Sequence, residues 1–242
     1  MALFSTFNGI CAQGYQPLAT DFDAGETMTW TSLSGATAYS QGILMAWVRP
    51  TLFDSTGPTL FTFGNLRLSI SGVSPFTDRR AVLDLAGTGG ILSFQSSANI
   101  TTTGVWRQIL ASWNTNATAG ARSFTMVING TTGTQTVTDT GSAFAMDAGA
   151  AGIGYSGNLS EGCWSEFYFA PGQYLDFSVQ SNRNKFVTAG GTPVYLGTNG
   201  TLPTGTQPLI YLKNPYSSYN TNSGTGGNAV VNGTLSACAS AP

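Results

Sequence analysis

The chain has 242 residues, of which only 8% are charged, with a formal net charge of −2 and a pI of about 4.8. It therefore lacks the basic field that binding to nucleic-acid phosphates requires. It contains no run of about 18 apolar residues, as a membrane-spanning helix would need, and no histidine for Ser-His-Asp, Cys-His or HExxH chemistry. We therefore expect neither nucleic acid nor membrane as a partner.

In chain order, residues 1–25 show little periodicity and are predicted to form an N-terminal arm. Short apolar runs follow, separated by Gly, Asn, Asp, Pro and Ser clusters that are typical of turns. Each run predicts a strand: ETMTWTSL, QGILMAWVRPTLF, PTLFTFG, LRLSISG, RAVLDLAG, GILSFQSS, GVWRQILASWN, RSFTMVING, TQTVTD, AAGIGYS and GCWSEFYFAPG. Many short strands without long helical patterns indicate an all-β sandwich or closed barrel.

The strand predicted in GVWRQILASWN carries large apolar side chains on both faces. With period two, the two faces hold Val105, Ile109, Ala111 and Trp113 on one side and Trp106, Leu110 and Ser112 on the other. We expect this strand to be covered on both sides.

The clearest hairpin signal is Asn129-Gly130, which stands between an apolar strand and a polar alternating segment. Asn129 also begins an Asn-x-Thr/Ser sequon. Five further asparagines do the same: Asn99, Asn116, Asn158, Asn199 and Asn232. In the absence of signal-peptide features we interpret them as turns rather than glycosylation sites.

Beyond Pro171 the pattern changes, and one short helix is predicted in FSVQSNRNKFVTAGG. Ser178 is its expected N-cap and Gly190 its expected end. Its apolar side consists of Val179, Phe186 and Val187. The glycine-rich tail that follows is predicted to dock with two or three short strands.

The three cysteines are Cys11, Cys163 and Cys238, without a CxxC pair. This excludes a self-contained disulfide framework and a thiolate zinc site. Cys163 stands in an apolar run and is predicted to be a buried small hydrophobe. Cys11 and Cys238 lie in terminal segments and are either incidental thiols or partners in a disulfide, with each other or with neighbouring copies.

Three segments carry a resemblance to a known family: QGILMAWVRP at 41–50, GVWRQILASWN at 104–114 and SFTMVINGT at 123–131. Together they resemble the laminin-G-like, concanavalin A-like jelly roll, an antiparallel β-sandwich. The resemblance implies that Trp47, Trp106 and Trp113 pack between two facing sheets. It divides the chain into an arm at 1–25, a jelly roll at 26–170 and a C-terminal extension at 171–242.

The extension carries N-R-x-K-F, G-x-P-V-x-L-G, P-x-G-x-Q-P-L-x-Y-L and N-x-G-T-G-G. These motifs resemble extensions behind such jelly rolls in structural proteins of tailed bacteriophages and prophages. The resemblance implies a virion protein, made in the host cytoplasm and released by lysis, which agrees with an N-terminus that lacks signal-peptide features.

Two functions follow from these resemblances. The first is a capsid decoration protein on the outer surface of the phage head, bound to the major capsid protein or other virion proteins. Such a protein is expected to be a homo-oligomer, and the resemblance favours a trimer. The alternative is a glycan-binding tail or adsorption protein whose partner is a host surface glycan.

A glycan site needs exposed aromatic side chains beside amide or carboxylate groups. Tyr216 and Tyr219 are the best candidates, with Asn220 alongside. The competing interpretation is that these tyrosines pack against the extension or a neighbouring subunit.

Calcium is a second candidate ligand, because laminin-G-like domains often bind it between loops. Asp21 and Asp23 form an Asp-x-Asp pair that offers oxygen ligands, and Asp139 and Asp147 stand in predicted loops. None matches a family calcium motif, and solvated or turn-capping carboxylates are the simpler interpretation.

Acid–base catalysis by paired carboxylates is the remaining enzymatic possibility. Glu161 and Glu166 are five residues apart, so on a regular strand they face opposite sides and do not flank one bond. Asp84 and Asp147 are isolated. We therefore predict no catalytic residue, no cofactor and no enzymatic activity.

Overall fold

The computed structural model describes residues 15–23, 25–51, 58–71, 79–87, 90–116, 122–132, 136–139, 146, 149–154 and 161–242. In this part of the chain the strands are β1 Thr20–Phe22, β2 Thr27–Trp30, β3 Gln41–Pro50, β4 Thr59–Phe63, β5 Leu66–Ile70, β6 Arg80–Gly87, β7 Gly90–Asn99, β8 Arg107–Asn114, β9 Ser123–Ile128, β10 Thr131–Thr132, β11 Thr136–Asp139, β12 Ala151–Ile153, β13 Gly162–Pro171, β14 Ile210–Leu212, β15 Val230–Asn232 and β16 Ser236–Ala237. The helices are α1 Gln180–Arg183 and a 3₁₀ turn at Tyr216–Ser218.

The strands form two antiparallel sheets that pack face to face. The first sheet runs β10-β9-β8-β3-β13-β1-β16, with β14 also paired to β13. The second runs β11-β7-β6-β5-β4-β12-β2-β15. Each of the eleven predicted strand segments contains a strand, and the predicted all-β jelly-roll sandwich is confirmed.

The main core lies between the inner faces of the two sheets. Phe61 of β4 packs against Phe167 and Phe169 of β13, with ring centroids 4.7 and 5.0 Å apart. Trp113 of β8 lies across Gly42 of β3, where a Cβ atom would stand 2.2 Å from the indole Cζ2. The glycine makes room for the tryptophan, so this pair is specified by the sequence of both strands.

A second core covers the outer face of the first sheet. This covered face carries Ile43, Met45, Trp47, Leu110, Val127, Tyr168 and Ala170. The extension contributes the other half of the cluster with Phe177, Phe186, Val187, Leu196 and Tyr211. Strand β8 is therefore buried on both sides, as predicted.

The expected position of two tryptophans is wrong. Trp113 packs between the sheets, but Trp47 belongs to the covered face and half-buried Trp106 packs against it. The extension, rather than the facing sheet, supplies the cover over these two residues.

The Asn129-Gly130 hairpin is confirmed. Asn129 has a φ of 52° and Gly130 a φ of 75°, the left-handed pair that a two-residue turn between antiparallel strands requires. The turn joins β9 to β10, with Thr131 opposite Ile128.

The predicted helix is present but shorter, and its predicted cap is wrong. The N-cap is Val179, which makes no side-chain cap hydrogen bond. Ser178 instead donates its backbone N–H to Asp176 Oδ1 at 2.8 Å. Buried Arg183 ties the turn together, since its guanidinium donates to the carbonyl of Phe177 at 2.6 Å.

Strand β1 and the C-terminal extension are both built into the sandwich. Strand β1, inside the range predicted as an arm, pairs with β13 and β16. The extension contributes β14 and β16 to the first sheet and β15 to the second. No helix in the described ranges is long and apolar enough to cross a membrane.

The predicted cysteine pairing is corrected. Cys163 forms a disulfide with Cys238, 75 residues further on, with Cα atoms 5.8 Å apart. Cys238 reaches Cys163 because β16 pairs with β1, which itself pairs with β13. The position of Cys238 near the end of the sequence does not reveal this pairing. Cys11 and Asn158 lie outside the described residues.

Candidate functional site

In the described part of the chain, the outward side chains of the second sheet are half-buried or exposed, so its outer face is open where that of the first sheet is covered. Strand register aligns one residue from each strand in a row across this open face. The row consists of Val230, Thr29, Gly152, Thr62, Arg67, Asp84, Ser93 and Thr138. Neighbouring members lie about 4.7–4.9 Å apart along the hydrogen-bonding direction.

An ion pair stands in this row. Arg67 of β5 donates from a terminal guanidinium nitrogen to Asp84 Oδ2 of β6 at 2.7 Å. The Arg67 side chain is 56% exposed and that of Asp84 19% exposed, so each offers further hydrogen-bonding capacity to solvent. Together with Asn65, Ala86 and Ser93 they line a groove of about 470 Å³.

Strand alternation explains why polar side chains of β5 point outward at the groove. In β5, Leu66, Leu68 and Ile70 are buried between the sheets, while Arg67 and Ser69 point outward. Residues two apart on a strand share a face, so apolar inward positions leave the intervening polar residues on the outside.

A second outward row runs beside the first. Thr59, Ser69, Val82 and Gln95 are paired in register across β4, β5, β6 and β7. Gln95 donates its side-chain amide to Ser71 Oγ at 3.1 Å. The open face thus presents hydroxyl and amide groups on a rigid sheet.

The predicted aromatic glycan site divides into different environments. Tyr216 is 44% exposed, whereas Tyr219 is fully buried and donates its hydroxyl to the carbonyl of Ser165. Asn220 donates its amide to the carbonyl of Ala229 at 3.1 Å and so holds the tail in place. Tyr219 is a core residue, which removes it as a sugar-stacking group.

Of the predicted calcium ligands, Asp21 is the central residue of β1 and Asp23 directly follows that strand. Burial, followed by the nearby charge of Asp23, raises the pKa of Asp21 above its usual range. Within the described ranges no group of three or more His, Cys, Asp or Glu side chains could hold a metal ion. Asp147 and the side chain of Asp139 lie outside what the structure describes.

The two glutamates considered for catalysis differ in burial. Glu166 is fully buried at a bulge in β13, and Glu161 is half-buried before that strand. The hydroxyls of Tyr15 and Tyr211 both donate to Glu166 Oε1, at 2.7 and 2.8 Å, while its buried Oε2 has no partner among the described residues. Burial raises the pKa of Glu166 to about 7.

Sequence reasoning did not single out the open face, although its signal was present. The alternation of LRLSISG and RAVLDLAG places Arg67, Ser69 and Asp84 outward. The local pattern could not show that β5 and β6 pair in the register that places Arg67 opposite Asp84.

The fold is shared with a solved structure, a candidate carbohydrate-binding protein from Bacteroides ovatus. The similarity covers 94% of this chain and 62% of that protein, with a TM-score of 0.61 at 13% identity. This chain therefore spans less than two thirds of that protein, and the likeness establishes the fold alone.

Two other solved structures are more distant. A pentraxin from Limulus polyphemus covers 69% of this chain and 81% of its own, with 16% identity and a TM-score of 0.47. Domains LG4-5 of the mouse laminin α1 chain cover 74% of this chain and 49% of their own, with 13% identity and a TM-score of 0.46. No protein-family model and no curated protein sequence matches the chain.

Proposed function

We propose that this chain is a carbohydrate-binding protein whose binding surface is the open face around Arg67 and Asp84. The observation that carries the proposal is the aligned row on the open face, in which six of the eight residues carry a hydroxyl, carboxylate or guanidinium group. The candidate carbohydrate-binding role of the Bacteroides ovatus protein, which shares the fold, agrees with it.

The chemistry of the row suits a saccharide. Sugar hydroxyls both donate and accept hydrogen bonds, and Ser and Thr hydroxyls, the Asp84 carboxylate and the Arg67 guanidinium supply both kinds of partner. Because the sheet fixes these groups, little ordering free energy is lost when a ligand binds.

Charge indicates the ligand class. Arg67 and Asp84 neutralise each other in the groove, so a neutral saccharide is favoured over an acidic one. The row contains no aromatic residue, and we therefore expect weak binding at each site, strengthened where several copies bind one glycan together.

The test is a panel of neutral and acidic oligosaccharides, followed by calorimetric titration of the best ligand. Asp84→Asn should weaken binding by about tenfold or more, since hydrogen bonds to charged groups contribute about 1.5–3 kcal/mol. Glu161→Gln, a matched carboxyl-to-amide change off this face, should leave affinity unchanged. Binding that survives Asp84→Asn but is lost in Tyr216→Ala would place the site elsewhere.

The location on a phage particle is also a proposal, supported by the sequence resemblance of residues 171–242. It includes decoration of the head, adsorption through a tail and a non-enzymatic role. Immunogold labelling of purified particles separates the first two: label over the head supports decoration, and label on the tail supports adsorption. Particles without label would contradict both.

A further inference from the structure

The two residues of the Cys163–Cys238 disulfide differ in exposure. Cys163 is only 3% exposed within β13, whereas Cys238 is partly exposed after the short strand β16. Cys238 also lines a surface groove of about 380 Å³, together with Leu18 and Tyr216. We therefore expect a thiol in solution to reach Cys238 more readily than Cys163.

A cation stands beside the same disulfide. The Arg49 guanidinium lies 3.8 Å from Cys163 Sγ and 3.5 Å from Cys238 Sγ. Its Nε donates to the carbonyl of Gly104 at 2.9 Å, which fixes its position. A neighbouring cation stabilises a thiolate leaving group, while Asp21 Oδ1, 3.6 Å from Cys163 Sγ, acts in the opposite sense.

Few other bonds hold β16. Its register pairs with β1 are Thr20 with Ala237 and Asp21 with Ser236, and Cys238 donates its N–H to the carbonyl of Ala19 at 3.4 Å. Both β16 residues are exposed. The disulfide is thus a covalent link between the end of the chain and the first sheet, beside the short β1–β16 pairing and the buried side chain of Leu235 just before β16.

We propose that Cys238 is a modification site, at which a low-molecular-weight thiol such as glutathione exchanges with the disulfide and releases β16. The glutathione thiolate attacks Cys238 Sγ, a new S–S bond forms between them, and the bond to Cys163 breaks. The electron pair leaves on Cys163 Sγ as a thiolate beside Arg49. A second glutathione thiolate then attacks the mixed disulfide, giving oxidised glutathione and the Cys238 thiolate.

Release of β16 changes the edge of the first sheet. In the oxidised chain, β1 is paired on both sides, with β13 and with β16. Without β16, the backbone groups of β1 on this edge lose their partners, as at any free sheet edge. The intact disulfide thus keeps this edge closed, independently of any saccharide bound to the open face.

The experiment identifies the site of exchange in the Cys11→Ser variant, in which the cysteine outside the disulfide is removed. The folded chain is exposed to reduced glutathione, quenched with N-ethylmaleimide and analysed by peptide mass spectrometry. Glutathione should be found on Cys238 and maleimide on Cys163. Glutathione mainly on Cys163, two free thiols before any reductant is added, or reduction no faster than global unfolding would overturn the proposal.

Arg49 provides the second readout. Arg49→Gln should slow the exchange several-fold and Arg49→Lys should recover part of the rate, while Arg67→Gln, on the open face, should leave it unchanged. Circular dichroism confirms that each variant is folded. Equal rates in Arg49→Gln and the parent chain would contradict the role of Arg49 as stabiliser of the leaving thiolate.

Discussion

The two sheets of this sandwich differ in whether their outer faces are covered. The covered face of the first sheet is packed under the extension, with Tyr168, Phe177 and Phe186 fully buried. The open face of the second sheet carries a solvent-exposed ion pair between hydroxyl side chains. The same antiparallel architecture therefore provides a packing surface for the extension on one side and a candidate binding surface on the other.

The difference follows from the pattern of buried and exposed residues along the strands. All ten residues of β13 and eight of the ten residues of β3 are buried, whereas in β5 buried and outward residues alternate. Strands that are apolar on both faces need two covers, and strands that alternate need one. Continuous against alternating hydrophobicity thus indicates which outer face remains free.

The largest contrast is expected from removing one side chain on each face. Phe186→Ala leaves a cavity against Tyr168 and Phe177, and should reduce the free energy of unfolding by about 3–5 kcal/mol. Thr62→Ala on the open face should change it by no more than about 0.5 kcal/mol. Urea denaturation measures both, and equal losses would mean that the extension does not stabilise the sheet.

The two faces also differ in how they hold charge, because Glu166 is buried next to Tyr211 beneath the extension. Its folded-state pKa of about 7 exceeds its ordinary value of 4.5, so folding takes up a proton in this window. Stability contributed by Glu166 is therefore highest below pH 4.5, falls as the pH rises to 7 and is lowest above pH 7.

The corresponding test is Glu166→Gln, which removes the ionisation while keeping the shape of the side chain. At pH 8 it should stabilise the chain relative to the parent, by up to about 3 kcal/mol, and the advantage should disappear near pH 4.5. Denaturation at a series of pH values measures this. If the difference in stability between the parent chain and Glu166→Gln is the same at pH 8 as at pH 4.5, the raised pKa of Glu166 is contradicted.

Strand β3 offers a smaller effect on its inner side. Gly42→Ala brings a Cβ atom against Trp113, and overpacking of this kind should cost about 1–3 kcal/mol. Gly190→Ala is the matched control, because its nearest neighbour would be Thr188 Oγ1 at 3.7 Å. Thermal unfolding should separate the two variants, and equal transition temperatures would show that the indole has room to move.

The smallest effect on stability is expected at the open face. Asp84→Asn breaks an exposed ion pair with Arg67, which should contribute no more than about 1 kcal/mol. High salt should shrink the difference from the parent chain further. A larger loss in urea denaturation would mean that this pair serves the fold rather than a ligand.

Local pattern predicted much of this fold and less of its sites. The eleven strand segments and the Asn129-Gly130 turn followed from alternation and turn chemistry, which act over a few residues. The Cys163–Cys238 bond, the burial of Tyr219 and the strands that the extension adds to both sheets depend on contacts far apart in sequence. The groove at Arg67 lies between these cases, since its outward residues were readable but their register was not.

The most direct test of the central claim is hydrogen–deuterium exchange of the full chain, with and without the strongest neutral oligosaccharide of the binding panel. Saccharide binding at the open face should protect β5, β6 and β7 around Arg67, Asp84 and Ser93, with unchanged exchange in the extension near Tyr216. Protection confined to the segment around Tyr216, with the open face unaffected, would contradict it.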